Sequence, residues 1–217
     1  MSTPAFFSPE DAAAIEAAVR EVEAATSGEI VPYAVGRSDI YVSAVWKAAV
    51  VGALLLSAAA AVIYEAGRFW GALLPLWIAL PPGAGAALGF LAATLFPSLR
   101  RWLTPPELME VRVRQRALAA FVSEEVFRTR DRTGILIFLS LFEHRVVVLG
   151  DTGINASVAP AQWTEVVDVI AAGIRAGRPG EALAEGIRRC ARLLAARVER
   201  KVDDTDELSN RLRTAEE

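Results

Sequence analysis

Two stretches of this chain carry no charged side chain, and they constrain the fold more than anything else in it. Neither Ala48–Tyr64 nor Phe69–Leu99 contains Asp, Glu, Lys or Arg. The first, seventeen residues long, covers roughly 26 Å as a helix. The second has 31 residues, more than the ~20 that one crossing of a bilayer needs. Pro75, Pro81 and Pro82 interrupt its first half, which predicts a spanning helix near Leu76–Phe96, entered through a surface segment containing Phe69, Trp70 and Trp77. Trp46 and Tyr64 bracket the first stretch as interfacial aromatics, and Lys47 can extend its ammonium to the headgroups. Residues 44–100 therefore read as a transmembrane helical hairpin.

The flanks read as pieces of one folded unit. Ser8-Pro9-Glu10-Asp11 is a helix start, with a capping Ser, Pro at the first position and acids in the first turn. Ile15, Val19 and Val22 recur at helical spacing, and Gly28 ends the pattern. Residues 29–35, Glu-Ile-Val-Pro-Tyr-Ala-Val, read as a strand, with Pro32 placing it at a sheet edge or bulge. Ser38-Asp39 is expected to start the helix that becomes the first membrane segment. After Arg100-Arg101-Trp102, Thr104-Pro105 caps an amphipathic helix with Leu118, Phe121, Val122 and Val126 on its apolar face. Gly134–Ser140 is an apolar run typical of a central strand, and Arg145–Leu149 is its hairpin partner. Two amphipathic helices follow, one with Trp163, Val166, Val167, Ile170 and Ile174, the other with Leu183, Ile187, Cys190, Leu194 and Val198. Residues 203–217 read as a charged, loose tail.

Neither flank is a domain alone, because the lone strand of residues 1–43 would leave its backbone groups unpaired. Joined with residues 101–217, it gives about three strands covered by helices, an α/β unit of packed layers. That requires both flanks on one side of the membrane and hence an even number of crossings.

Charge distribution suggests which side. Lys47, Arg100, Arg101, Arg112, Arg114 and Arg116 lie near the membrane on the domain side, against Arg68 beside Glu65 in the opposite loop. The positive-inside rule then places both termini and the α/β domain in the cytoplasm. The same basic residues suit anionic headgroups. A net charge of −3 gives no reason to expect nucleic acid. The single cysteine excludes an intrachain disulfide, and Met1–Phe7 has no signal-peptide pattern. Two helices without intramembrane charge offer no ion path. Gly83, Gly85, Ala86, Ala87 and Gly89 suit close helix packing, within the hairpin or against partner helices.

Taken together, the soluble pieces resemble a known family. Thr26-Ser27-Gly28-Glu29-Ile30-Val31 follows an N-terminal helix. Arg132-Thr133-Gly134-Ile135-Leu136-Ile137-Phe138-Leu139-Ser140 comes next, then a strand ending in Gly150, a glycine at 153 and two helices. This ordered set resembles the TPM-domain family, in particular its bacterial membrane branch, where a transmembrane hairpin follows the first strand. The resemblance implies a small central sheet with helices on both faces, in a protein of the bacterial inner membrane. It also implies two alternative roles. One is a non-catalytic binding, assembly or stability factor for a complex of integral membrane proteins. The other is a divalent-metal-dependent acid phosphatase.

The residues leave both roles open. Asp39, Asp131 and Asp151 fall on loops at sheet edges and are candidate oxygen ligands for a hard cation such as Ca²⁺ or Mg²⁺. Asp131 stands where the family has an Asp-Asn-Gly-like turn, but Arg132-Thr133 replaces the Asn, and an Arg competes for the same carboxylates. Equally, Asp39 can cap a helix, and Asp131 and Asp151 can start turns. His144, the one histidine, reads as a solvent-facing turn residue and argues against zinc; Cys190 reads as core. Thr152-Gly153 could present amides to an anion, yet no phosphate-loop lysine accompanies it. Ser27 and Ser140 have no evident base. No catalytic triad or acid/base pair can be assembled, and no cofactor is implied beyond a candidate divalent cation.

Overall fold

The computed structural model describes residues 7–67, 74–195 and 207–215. The chain divides into two compact units: Met1–Ser38 together with Glu110–Glu217, and Asp39–Met109.

The first unit is α/β. Helix α1 (Pro9–Ala25) opens on a reciprocal cap, in which Ser8 Oγ accepts from the Asp11 amide at 3.0 Å and Asp11 Oδ2 accepts from the Ser8 amide at 2.9 Å. Such caps contribute about 1 kcal/mol. Strand β1 (Glu29–Val35) follows. After the second unit come β2 (Gly134–Ser140) and β3 (Arg145–Gly150). The sheet has four strands in the order β3-β2-β1-β4, with β1 parallel to both β2 and β4, and β2 antiparallel to β3.

The fourth strand, β4 (Arg213–Ala215), comes from the stretch expected to be a loose tail. It pairs Tyr33 with Arg213 and Val35 with Ala215, so β1 is flanked on both sides. Pro32 fits this arrangement through the alternation of the ladder. The amide of Glu29 and the carbonyl of Val35 bond toward β2, to Thr133 and Leu141, so residues at even positions face the other side. There Pro32 needs no donor, because β4 pairs only from Tyr33 onward. The amide of Ile30, on that same side, is met by Glu23 Oε1 at 3.2 Å.

Alternation also sorts the two faces. Ile30, Ala34, Ile135, Ile137 and Leu139 join Ile15, Val19 and Val22 of α1 in one buried cluster. Helices α7 (Thr164–Arg175) and α8 (Pro179–Ala195) add Val166, Ile170, Leu183, Ile187, Cys190 and Leu194. A short helix, α6 (Thr152–Ser157), contributes Ile154, and the 3-10 turn Pro160–Trp163 adds Trp163. Val198 lies outside the described residues.

On the opposite face, Val31, Tyr33, Val35, Leu136 and Phe138 pack against α5 (Pro106–Ser123). Tyr33 and Phe138 are register partners and stack with ring centroids 5.7 Å apart. Here the expected helix face is corrected in part, since Phe121 does pack against this cluster. The buried side of α5 is Val113, Ala117 and Ala120, while Leu118 and Val122 are exposed and Val126 lies buried beyond the helix end. Two aromatic rings fill the layer from the sheet side, and alanines let the helix lie close over them.

The second unit holds α2 (Val42–Gly67), α3 (Leu74–Leu95) and α4 (Pro97–Leu103). Helix α2 begins after Asp39 rather than at it, because Tyr41 has φ +47, outside the helical region. Pro81 and Pro82 stand inside α3, and Phe69 and Trp70 lie outside the described residues. Val42–Gly67 and Ile78–Leu95 are long and apolar enough to cross a membrane, and only 11% and 17% of their most apolar windows are buried.

What these two helices do bury is a seam of small residues. A Cβ added to Gly85 would lie 2.2 Å from the Gly52 carbonyl oxygen, and one on Gly89 would lie 2.1 Å from that of Ala48. Gly83 has open surroundings. The glycine pair four apart therefore closes the hairpin on itself. Phe96, held extended before Pro97, ends α3. Arg100 Nε donates to the Ala93 carbonyl at 3.2 Å, and Lys47 Nζ donates to that of Leu103 at 3.4 Å. These cations thus satisfy carbonyls at helix ends.

Candidate functional site

The antiparallel register Ile135↔Gly150 brings the start of β2 and the end of β3 together. The turns carrying Asp131 and Asp151 consequently meet. The Asp151 amide donates to the Gly134 carbonyl and the Gly153 amide to the Arg132 carbonyl, both at 2.9 Å. Gly153 is required for this approach, since a Cβ there would lie 2.4 Å from the Asp131 carbonyl oxygen.

Asp151 is 5% exposed. Its Oδ1 caps α6 by accepting from the Thr152 amide at 2.7 Å. Its Oδ2 lies 2.8 Å from Arg132 Nε, an ion pair whose alignment does not make a hydrogen bond. Asp131, more exposed, has Arg130 Nε at 3.5 Å. Arg132 has φ +58, a left-handed conformation costing about 1 kcal/mol or more for such a side chain. The Asp151 carboxylate and the Phe127 ring, 5.8 Å from the guanidinium carbon, hold it there. Asp131 and Asp151 thus each have a guanidinium beside them.

Asp39 does not join them. Parallel pairing from Glu29↔Gly134 to Val35↔Ser140 puts Asp131 before the strands, whereas the chain reaches Asp39 past the far end of β1. Seven-residue strands span roughly 20 Å. Asp39 Oδ1 instead accepts from the Tyr41 amide at 3.4 Å, in the turn before α2. Among the described residues, no group of three or more His, Cys, Asp or Glu is placed to hold a metal ion.

The C-terminal segment returns to the Asp131 end. The Glu29 carboxylate, buried at the start of β1, accepts from the amides of Glu207 and Leu208 at 3.3 and 3.4 Å. Glu207 Oε2 accepts from the Arg130 amide at 2.8 Å. A glutamate opening a wholly buried strand was the available sign of this docking.

At the other end of the sheet, Ser140 has a base that the sequence did not reveal. Ser140 Oγ donates to Glu143 Oε2, Ser38 Oγ lies 2.7 Å from Ser140 Oγ, and the Ser38 amide donates to Glu143 Oε1 at 2.9 Å. Ser140 is fully buried and Glu143 nearly so. The hydroxyl is held away from solvent. The group is a latch, tying the β2–β3 turn to the point where the chain leaves β1.

The remaining candidates are structural. Cys190 is buried, and desolvation pushes its thiol up to about 12, so it stays protonated and is no nucleophile. The amides of Thr152 and Gly153 are committed to Asp151 and to the Arg132 carbonyl, which leaves no anion cradle. His144 is partly buried in the β2–β3 turn with φ +50.

No family model matches the chain, and no curated protein does. Among solved structures, the NMR structure of the BA42 protein from the psychrophilic bacterium Bizionia argentinensis is similar at a TM-score of 0.61 and 21% identity, over 99% of this chain and 100% of that one. At that identity the likeness is one of fold.

Proposed function

We propose that this chain is an integral protein of a bacterial inner membrane, crossed twice by α2 and α3, with both termini and the α/β domain in the cytoplasm. The domain serves as a non-catalytic binding, assembly or stability factor for a complex of other integral membrane proteins. One observation carries the membrane part: α2 and α3 leave most of their apolar length exposed, which is unfavourable in water. The pairing of Asp131 and Asp151 with Arg130 and Arg132 supports the non-catalytic part. Because the Gly85–Gly89 seam is used within the hairpin, partner helices are expected on the outward faces, near Leu54 and Leu88.

A metal-dependent acid phosphatase is the second reading. Asp151 favours it, as a buried carboxylate with one oxygen that makes no hydrogen bond. A cation displacing Arg132 would be held by Asp131 and Asp151, without Asp39.

The test has two arms. A cysteine at Gly67 should react with impermeant reagent on intact cells while one at Ser209 does not; the reverse pattern overturns the orientation. In the second arm, a cation at a hundred times its Kd would stabilise the fold by about 2.7 kcal/mol. The expected result is no such shift with Ca²⁺ or Mg²⁺ and no phosphomonoester hydrolysis. A shift and a turnover both abolished by Asp131→Asn would make the protein an enzyme.

A further inference from the structure

The outward face of α5 is the surface least explained by the fold. Val111, Leu118 and Val122 are 51%, 47% and 62% exposed. At spacings of seven and four they form one stripe along the helix. Arg112, Arg114 and Arg116 are also exposed, and residues 111–123 include no acid. Cationic side chains beside a solvated apolar stripe suit an anionic bilayer surface, where the apolar residues enter the headgroup boundary and the guanidinium groups meet phosphates. An acidic protein partner would need carboxylates on both flanks of an apolar ridge; a lipid surface supplies both chemistries without a matching sequence. The chain also comes to Val111 from α3 through only α4 and one turn.

We infer that this face of α5 docks on the anionic lipid surface of the membrane that the hairpin spans, holding the α/β domain against the bilayer. The inference rests on the membrane reading above and adds a second, reversible attachment. Each arginine near an anionic surface contributes about 1 kcal/mol, so three raise the docked-to-free ratio on the order of a hundredfold. Screening by salt weakens the attachment.

The experiment uses the full chain with Cys190→Ala, reconstituted into vesicles of neutral phosphatidylcholine or of phosphatidylcholine with phosphatidylglycerol. An environment-sensitive fluorophore is placed on Leu118→Cys, or on Ala17→Cys in α1 as the control. Spin-labelled lipid in both leaflets serves as quencher. The expected result at Leu118 is a shift to shorter wavelength and strong quenching in anionic vesicles, lost in 1 M salt and absent at Ala17. Exchanging all three arginines for glutamine should remove the response, and exchanging them for lysine should restore it. Equal signals in both vesicle types, or no quenching in protein that floats with the vesicles, overturn the docking while leaving the anchor intact. Protein that does not float overturns both.

Discussion

Strand β2 and helix α3 are about equally apolar by sequence, yet they end in opposite environments. All seven residues of β2 are buried, whereas α3 leaves Ile78, Leu88 and Leu95 more than half exposed. Apolar composition specifies removal from water; the neighbours an element can recruit decide whether protein or another medium provides it. In β2, side chains on both faces interlock with helices. In α3, backbone meets backbone along glycines and the large side chains point away.

The largest effect that sharpens this contrast is Phe138→Ala. It should cost about 3–5 kcal/mol in denaturant unfolding of the detergent-solubilised chain, whereas Leu88→Ala should change stability by less than about 0.5 kcal/mol. Similar costs for the two would break the contrast. Next, Gly85→Ile should separate α2 from α3, since its side chain would meet the Gly52 carbonyl, at about 1–3 kcal/mol. Loss of cross-linking between cysteines placed on α2 and α3 would report the separation, while near-ultraviolet circular dichroism of the sheet stays unchanged. Asp151→Ala should remove the α6 cap at about 1–2 kcal/mol, and Asp151→Asn, which can still cap, should cost less. The smallest effect is electrostatic. A hydrogen bond from Arg189 holds the exposed Glu185 carboxyl below its usual range. Its small stabilisation is therefore present above the unfolded value of about 4.3 and fades as pH falls through the folded one. Glu185→Gln should therefore lower the melting temperature slightly near pH 7, flatten the profile below about pH 4, and make no difference once the carboxyl is protonated.

Much of the fold was legible because its signals are local. Uninterrupted apolar runs marked β2 and the two long helices, and the Ser8–Asp11 cap marked α1. What escaped depends on distant partners. Arg213-Thr214-Ala215 has no strand pattern, and its pairing with β1 is accompanied by contacts of Glu29 and Glu207 with residues far away in the sequence. The buried face of α5 was misread in part, at Leu118 and Val122, because size was taken as the guide to burial. Ala117 and Ala120 lie inside, opposite Tyr33 and Phe138, while the larger Leu118 lies outside. At the candidate site, the approach of Asp131 to Asp151 follows from the β2–β3 hairpin. That Asp39 lies at the other end follows from the parallel sense of β1 and β2, which no single strand reveals. The Ser38–Ser140–Glu143 latch joins residues far apart in sequence and had no local sign beyond a Glu after a strand.

The register Glu29↔Gly134 also fixes an order of events during synthesis. Ribosomes add about 5–20 residues per second, so β1 waits roughly 5–20 s before its partner has been made. Throughout that interval α1 and β1 are nascent chain with an unsatisfied strand edge, while the hairpin is produced between them. Prolines and charged residues disfavour pairing with a wrong strand: Pro32 withholds a donor on the edge that β4 later takes, and Glu29 puts a charge at the start of the strand that waits for β2. The features that look least suited to a buried central strand suit one whose partners are made late.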